Sequence, residues 1–351
     1  MIRNALRDRV DAHVILLVGL LIFEISVFSI LEPATYPTRA NFTSMTLQAS
    51  EIGLLALGVV LTMIVAGIDL SIVATANVAG IIAARTMTSL GGSSAGATAT
   101  AIIVGVVVAL AWGAVAGALN GTLVVGARVS PILVTLGTLT LFTGIGTAAT
   151  EGKVVFGIDA FTWLGDGKIA GLAVPFLLLV ALAVLLSLRL ARTRFGFEAY
   201  LVGENARAAW FSGISVRRRQ FAMYVASGML SAVAGLVVLG RTNAAQVDFG
   251  QSFVLLAVLV AVLGGLDPYG GRGSPLGALL AVAVLQAMST GLNQVLVAHT
   301  GSNFFKNFAW GILLIVVLAI SQRSRTPRNN RKHELRDKTP EPDSHNTDTS
   351  R

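Results

Sequence analysis

Few side chains in this sequence could carry out chemistry, and those that could are too far apart to act together. The chain has no cysteine, and its four histidines show no spacing suited to a metal site: His13, His299, His333 and His345. Neither the phosphate-binding pattern Gly-x-x-x-x-Gly-Lys-Ser/Thr nor the nucleophile pattern Gly-x-Ser-x-Gly occurs. The residues therefore predict a chain that is not an enzyme.

The composition indicates where such a chain resides. Of its 351 residues, 54% are hydrophobic and only 13% are charged, and the mean hydropathy is +0.75. Soluble domains carry about 25% charged residues. This shortage of charge excludes a soluble enzyme, a disordered scaffold and a disulfide-stapled secreted domain, and it predicts an integral membrane protein.

Long apolar runs predict about ten membrane-spanning helices in an all-α protein. A spanning helix needs about 20 mostly apolar residues, and β-barrel strands would alternate in polarity, which these runs do not. The third and eighth runs are the weakest, because one is rich in Ala, Thr and Asn and the other is short. The predicted helices are 14–31, 46–66, 70–87, 97–119, 131–148, 173–190, 220–240, 252–266, 275–297 and 303–321.

The distribution of basic residues predicts the orientation. With the N-terminus in the cytoplasm, 20 of the 26 Lys and Arg residues fall in cytoplasmic segments, so both termini are predicted to be cytoplasmic. The formal charge of +8 is thus a topology signal, and no nucleic-acid partner is expected. Residues 323–351 hold 13 charged residues and three prolines, which predicts a disordered cytoplasmic tail after a membrane domain at 1–322.

Few acidic residues lie within the predicted membrane region: Glu24 in the middle of the first span, Glu51 near the outer end of the second, and Asp69 between the second and third. A charge at mid-bilayer costs about 2.5–3.5 kcal/mol or more, and ion-coupled transporters normally retain several such groups. The small number favours a pore or transporter whose energy source lies on another chain.

The largest internal cytoplasmic loop, 189–219, carries seven arginines. Within it, 204–211 has good helix formers, and Gly203 and Gly213 fit chain reversals on either side. The pattern predicts a short helix across the cytoplasmic face. It is compatible with a basic loop that only fixes topology and with a docking helix for a cytoplasmic partner.

Four motifs in order resemble a known family. Residues 191–237 contain Arg-Thr-Arg-Phe-Gly, Gly-Glu-Asn-x-x-Ala-Ala and Ser-Gly-Ile-x-Val, and they resemble the coupling loop of ribose/xylose/autoinducer-2-type sugar ABC importer permeases. The segment 67–71, Gly-Ile-Asp-Leu-Ser, is similar to the family's Gly-Gly-Ile-Asp-Leu-Ser, with Ala66 where Gly is usual. The segment 130–139 is similar to its Pro-x-x-x-x-Thr-Leu-Gly segment, with three rather than four residues between Pro131 and Thr135, and 263–274 resembles its Leu-Gly-Gly…Gly-Gly-x-Gly-Ser loop. The resemblance covers about 45–320.

The resemblance implies partners. Two permease chains, as a homodimer or heterodimer, would form the pore in the bacterial cytoplasmic membrane. Two ATPase domains would dock below, and a periplasmic or extracellular binding protein would deliver a small neutral sugar. ATP and magnesium would bind to the ATPase, and no cofactor would bind to this chain. The residues implied to contact the ATPase are Gly203, Glu204, Asn205, Ala206 and Arg207.

The candidates for the translocation pathway are Asp69, at a break between two spans, and six neutral polar residues within the spans. Asp69 and Ser71 follow a break between two apolar runs, where they could cap the next helix or line the pathway. Gln286 and Asn293 are seven apart and so share a helix face. Each could equally join helices through hydrogen bonds. The candidates are Asp69, Ser71, Asn77, Thr135, Thr138, Gln286 and Asn293.

These observations predict the permease subunit of an ABC importer for a monosaccharide or similar small polyol. A permease for branched-chain amino acids or nucleosides is the alternative, and an ion-coupled secondary transporter is a more distant one. The glycine-rich segment 264–274, with Arg272, is interpreted as a tight cytoplasmic turn.

Overall fold

The computed structural model describes residues 2–91, 94–127, 129–169 and 171–296, together with 308, 310–312 and 315. Twelve α-helices account for most of these residues. They are α1 (Ile2–Leu31), α2 (Arg39–Ile64), α3 (Ile72–Leu90), α4 (Ala95–Gly126), α5 (Pro131–Thr150), α6 (Trp163–Asp166), α7 (Val174–Arg192), α8 (Arg194–Glu204), α9 (Ala206–Phe211), α10 (Val216–Thr242), α11 (Phe253–Leu263) and α12 (Pro275–Val295).

The helices agree with the predicted spans wherever the two can be compared. Each of the first nine predicted spans overlaps one of the helices α1–α5, α7 and α10–α12. Seven of these are long and apolar enough to cross a membrane; α3 is less apolar, and α11 has only 11 residues. Most of the predicted tenth span, 303–321, and the tail at 323–351 lie outside the described residues.

Two short antiparallel ladders are found in the part of the chain that the structure describes. Strand β1 (Val155–Phe156) pairs with β4 (Ala244–Ala245), and β2 (Lys168–Ile169) pairs with β3 (Leu172–Ala173). A 3₁₀ turn at Asp159–Phe161 and the single turn of α6 complete the connection between α5 and α7. The β1–β4 pair joins this connection to the end of α10.

Helices α2 and α10 form the centre of the bundle. Every residue from 49 to 64 in α2 is buried, and α10 packs against α2, α3 and α4. By contrast, α1, α4, α5 and α7 expose large apolar side chains, among them Phe23, Ile103, Leu133 and Leu185. Exposed apolar faces on the outer helices suit a lipid environment or further protein contacts.

Small residues allow α4 and α10 to cross in close contact. A methyl group added at Gly228 in α10 would overlap the carbonyl oxygen of Gly113 in α4, and one added at Gly117 would overlap that of Tyr224. Glycines four residues apart, such as 113 and 117, are typical of closely packed helices in membranes. This crossing fixes the distance between α4 and α10.

We expect Gly228→Ala to destabilise the protein. Overpacking of a close contact costs about 1–3 kcal/mol, which exceeds the gain in helix propensity from glycine to alanine. The melting temperature of the purified protein in detergent should fall by several degrees. Gly19→Ala is the matched control, because a methyl group at this mid-helix position in α1 meets no neighbouring atom. Equal effects of the two substitutions would contradict the close-contact explanation.

Candidate functional site

The chain is unwound between α2 and α3, at residues 65–71. Ala66 has a left-handed backbone (φ 59°), which explains why glycine suits this position. Asp69 then organises the start of α3: its Oδ1 accepts hydrogen bonds from the backbone N–H of Ser71 (3.0 Å) and from the Ser71 hydroxyl (2.7 Å). The two predicted residues therefore form a local cap.

The Asp69 cap is bonded to two other helices. Asn120 of α4 donates to the Ser71 hydroxyl (2.8 Å), and Ser227 of α10 donates to Oδ2 of Asp69 (3.1 Å). Only 1% of Asp69 is exposed. The predicted Thr135 of α5 joins the same region by donating to the carbonyl oxygen of Ile68 (3.1 Å). Sequence reasoning missed Asn120 and Ser227, because their distance along the chain gave no indication of this contact.

A second unwound segment, 243–252, separates α10 from α11. The side chain of Asn77 in α3 donates to the carbonyl oxygens of Val247 (2.6 Å) and Phe249 (3.0 Å). Irregular backbone within a membrane needs such partners or a water-filled cavity beside it. Asn77, a predicted pathway residue, thus holds this segment against α3.

A cavity of about 860 Å³, here called the α3–α5 cavity, lies between α3, α5 and the segment 247–255. Five polar residues line this cavity. One of them was predicted from the sequence as a pathway residue, and the other four were not. Three of the missed residues are threonines of α5, spaced so that they share a helix face, a pattern visible in the sequence. The polar residues are Asn77, Thr140, Thr143, Thr147 and Gln251.

A second cavity of about 330 Å³, the α2–α12 cavity, lies on the other side of the unwound segment. The predicted Gln286 of α12 lines it and donates to Gln48 of α2 (3.2 Å). The ion pair between Glu51 of α2 and Arg241 of α10 also lines it. Gln286 and Asn77, both predicted pathway residues, therefore line different cavities.

The last two predicted residues, Thr138 and Asn293, are not among the described residues that line either cavity. Thr138 is buried within α5 and donates to the carbonyl oxygen of Thr135 (3.3 Å). Asn293 lies two turns beyond Gln286 on α12 and is half-buried. The pathway role of all seven residues remains a prediction.

The predicted docking segment is built from two helices rather than one. Glu204 ends α8, and Asn205 begins α9 by accepting a hydrogen bond from the backbone N–H of Ala208 (2.9 Å). Gly213 does have a left-handed backbone (φ 77°), as a chain reversal requires. Gly203 instead lies within α8. Its expected reversal is wrong, because this glycine serves a close contact in which an added methyl group would overlap the carbonyl oxygen of Ile64.

The glycine-rich segment 264–274 does more than connect α11 to α12. The backbone N–H of Gly271 donates to the carbonyl oxygen of Ile64 at the end of α2 (3.0 Å). Tyr200 of α8 donates to the carbonyl oxygen of Gly273 (2.8 Å), and Arg272 pairs with Glu204 (3.2 Å). The end of α8, the end of α2 and this segment therefore form one junction next to the Asp69 turn.

Glu198 joins α8 to α10. Its carboxylate pairs with Arg194 (2.6 Å) and with Arg219 at the start of α10 (2.5 Å). The hydrogen bond from Arg194 lowers the pKa of Glu198 below its ordinary value, and Arg219 lowers the pKa further. Arg219 thus attaches α8 to α10, whereas the pair with Arg194 lies within α8.

Comparison with known proteins identifies the family. Residues 41–318 match the family described as "Branched-chain amino acid transport system / permease component". The chain belongs to this family.

Several permeases resemble the chain over most of its length. It is 33% identical to the ribose import permease protein RbsC of Bacillus subtilis, over 87% of this chain and 91% of that protein. It is 30% identical to the autoinducer 2 import system permease protein LsrD of Salmonella paratyphi A, over 87% and 90%. The D-allose transport system permease protein AlsC of Escherichia coli is 28% identical over 85% and 88%. No solved structure matches the chain.

This permease is therefore a membrane transport component and not an enzyme. The seven membrane-capable helices found among the described residues agree with that role. Within the described residues, no group of three or more His, Cys, Asp or Glu side chains could hold a metal ion.

We expect the permease to lose stability in acid partly through Glu198. The folded-state pKa of Glu198 is lowered from 4.5. Its contribution to the free energy of unfolding is therefore fully present above pH 4.5 and disappears as the pH falls through the lowered pKa. The melting temperature of Glu198→Gln should be lower at neutral pH and should fall less between about pH 5 and pH 3 than that of the unmodified permease. Parallel pH profiles for the two proteins would contradict this assignment.

Proposed function

We propose that the permease is the membrane subunit of an ATP-binding-cassette importer for a monosaccharide or similar small polyol. Family membership supports the transport role, and similarity to permeases named for ribose, D-allose and autoinducer 2 supports the solute class. The observation that carries the proposal is the α3–α5 cavity.

The lining of the α3–α5 cavity suits an uncharged, hydroxylated solute. Its described polar groups are carboxamides and hydroxyls, which both donate and accept hydrogen bonds, and its described lining includes no charged side chain. A branched-chain amino acid would bring an ammonium and a carboxylate group, which this lining does not complement. We therefore do not favour the amino-acid alternative.

A second permease chain would complete the pathway. The α3–α5 cavity lies beside exposed apolar residues of α5 and α11, including Leu136, Leu141 and Leu255. A cavity with hydroxyl and carboxamide groups in a largely apolar lining, next to an apolar exposed face, fits one half of a pore closed by a partner of similar surface. The partner can be a copy of this chain or a related permease.

Two ATPase domains, which would bind the ATP and magnesium, would dock on α8 and α9. Trp210 and Phe211 are 64% and 73% exposed and form an edge-to-face pair with ring centroids 4.9 Å apart. Exposed aromatic anchors are typical of the centres of protein interfaces. Arg207 is exposed beside them, whereas Glu204 pairs with Arg272. We propose that the exposed residues 204–207 contact the ATPase and that Gly203, buried against Ile64, transmits its movement to the Asp69 turn.

The same proposal places the permease in the bacterial cytoplasmic membrane with about ten spans and both termini in the cytoplasm. The arginines of the segment 189–219, next to α8 and α9, support this orientation. A periplasmic or extracellular binding protein would deliver the sugar to the opposite face.

We expect Thr143→Val to reduce sugar uptake three- to tenfold. The substitution keeps the side-chain shape but removes one hydroxyl from the α3–α5 cavity, and a lost hydrogen bond to a sugar costs about 1 kcal/mol or more. The measurement is ATP-dependent uptake of D-ribose and D-allose into proteoliposomes containing the permease, its ATPase and its binding protein.

The control for this variant is Thr100→Val in α4, whose hydroxyl donates to the carbonyl oxygen of Gly96 away from the cavity. Uptake that continues after ATP depletion and stops with a protonophore would refute the ABC importer. Competition by leucine but not by any sugar would instead support the amino-acid alternative.

We expect Trp210→Ala to weaken binding of the partner ATPase at least tenfold, because loss of a central aromatic anchor costs about 2 kcal/mol or more. Affinity is measured between the purified ATPase and the detergent-solubilised permease. Phe156→Ala is the matched control, since Phe156 is also 67% exposed but lies on β1, away from α8 and α9. An unchanged affinity of the Trp210 variant would contradict docking at this surface.

A further inference from the structure

We propose that the α2–α12 cavity is a second polyol-binding site within each permease chain, separate from the α3–α5 cavity. The proposal takes its ligand class from the proposed function and its location from the structure. The residues that carry it are Gln48, Glu51, Arg241, Phe249, Phe253 and Gln286.

The unwound segment after α10 separates the two cavities. Val247, Gln251 and Val254 line the α3–α5 cavity, whereas Phe249 and Phe253 line the α2–α12 cavity. Asn77 holds this segment by its backbone carbonyl groups. A ligand in one cavity would therefore contact side chains that a ligand in the other does not reach.

The second cavity contains an ion pair between the middle of α2 and the last turn of α10. Glu51 is 13 residues before the end of α2, about 20 Å along the helix, and its side chain is 3% exposed, while that of Arg241 is 30% exposed. Replacing a buried ion pair with apolar residues often leaves stability unchanged, so stability alone does not account for the pair. Ionisable groups retained within the membrane usually mark a ligand pathway.

The ion pair leaves hydrogen-bonding capacity for a ligand. Among the described hydrogen bonds, it uses Nε of Arg241 and Oε1 of Glu51. The second carboxylate oxygen can accept from a hydroxyl group, and the terminal guanidinium nitrogens can donate to one. Because the two charges compensate each other, the site favours a neutral ligand.

The other walls complement a sugar. Gln286 donates to Gln48 and to Thr290 (3.1 Å), which fixes both amides in place. One N–H of Gln48 donates to Ser44 (3.1 Å), so the oxygen of Gln286 and the second N–H of Gln48 remain for adjacent hydroxyl groups. Phe249 and Phe253 form an edge-to-face pair with centroids 6.0 Å apart, and aromatic rings can pack against the apolar face of a sugar ring. The volume of about 330 Å³ is at the small end of ligand sites and suits one monosaccharide.

Equilibrium binding tests the proposal. Tritiated D-ribose and D-allose are added to the purified permease–ATPase complex in lipid nanodiscs without the binding protein. We expect saturable binding of at least one sugar, and at least tenfold weaker binding in Gln286→Leu and in Gln48→Leu. Gln294→Leu is the matched control on α12, because its side chain accepts from Thr35 outside the cavity. Melting temperatures show that the variants are folded.

The result also identifies which cavity holds the sugar. We expect Gln251→Leu, in the α3–α5 cavity, to reduce uptake without changing the component of sugar binding that Gln286→Leu removes. Binding lost in Gln251→Leu but unchanged in Gln286→Leu would overturn the second site. Sugar uptake without any saturable binding would overturn the second site alone, whereas the absence of both would overturn the proposed function as well.

Discussion

The rest of the structure depends on the hydrogen bonds of the Asp69 carboxylate, which is buried between α2 and α3. An unwound turn inside a membrane protein leaves backbone groups that need partners, and Asp69 supplies them for the start of α3. Through Ser71, Asn120 and Ser227 the same group joins α3 to α4 and α10. The close crossing of α4 and α10 at Gly113, Gly117 and Gly228 brings these polar side chains within reach of the turn.

The second unwound segment, 243–252, separates the two cavities inside the bundle. Its carbonyl groups are held by Asn77, and its side chains alternate between the α3–α5 and α2–α12 cavities. A continuous helix at this position would satisfy its own backbone but would present a different set of side chains to α3. Polar groups are thereby exposed inside a bundle whose outer faces are apolar, as translocation of a hydroxylated solute requires.

Contacts of α8 extend this arrangement to the surface proposed for ATPase docking. Gly203 packs on the carbonyl oxygen of Ile64, which also accepts from Gly271, and Glu198 attaches α8 to α10 through Arg219. Displacement of α8 would therefore act directly on the residues that precede the Asp69 turn. The glycines of 264–274 have left-handed backbones at 265, 270, 271 and 273, which allow this segment to follow the ends of α2 and α8 closely.

The sequence by itself determined the membrane location, nine of the helices, the absence of catalytic motifs and the family, because charge depletion, apolar run length and local motifs are all properties of neighbouring residues. It also indicated Asn77, Gln286 and the docking segment, and the threonine spacing on α5 could have been recognised. Only the tertiary structure decided that Asn77 and Gln286 belong to different cavities, that Glu204 pairs with Arg272, and that Asn120 and Ser227 complete the Asp69 cap. The physical reason is that each of these contacts joins residues more than 45 positions apart, whose meeting depends on how closely the helices cross.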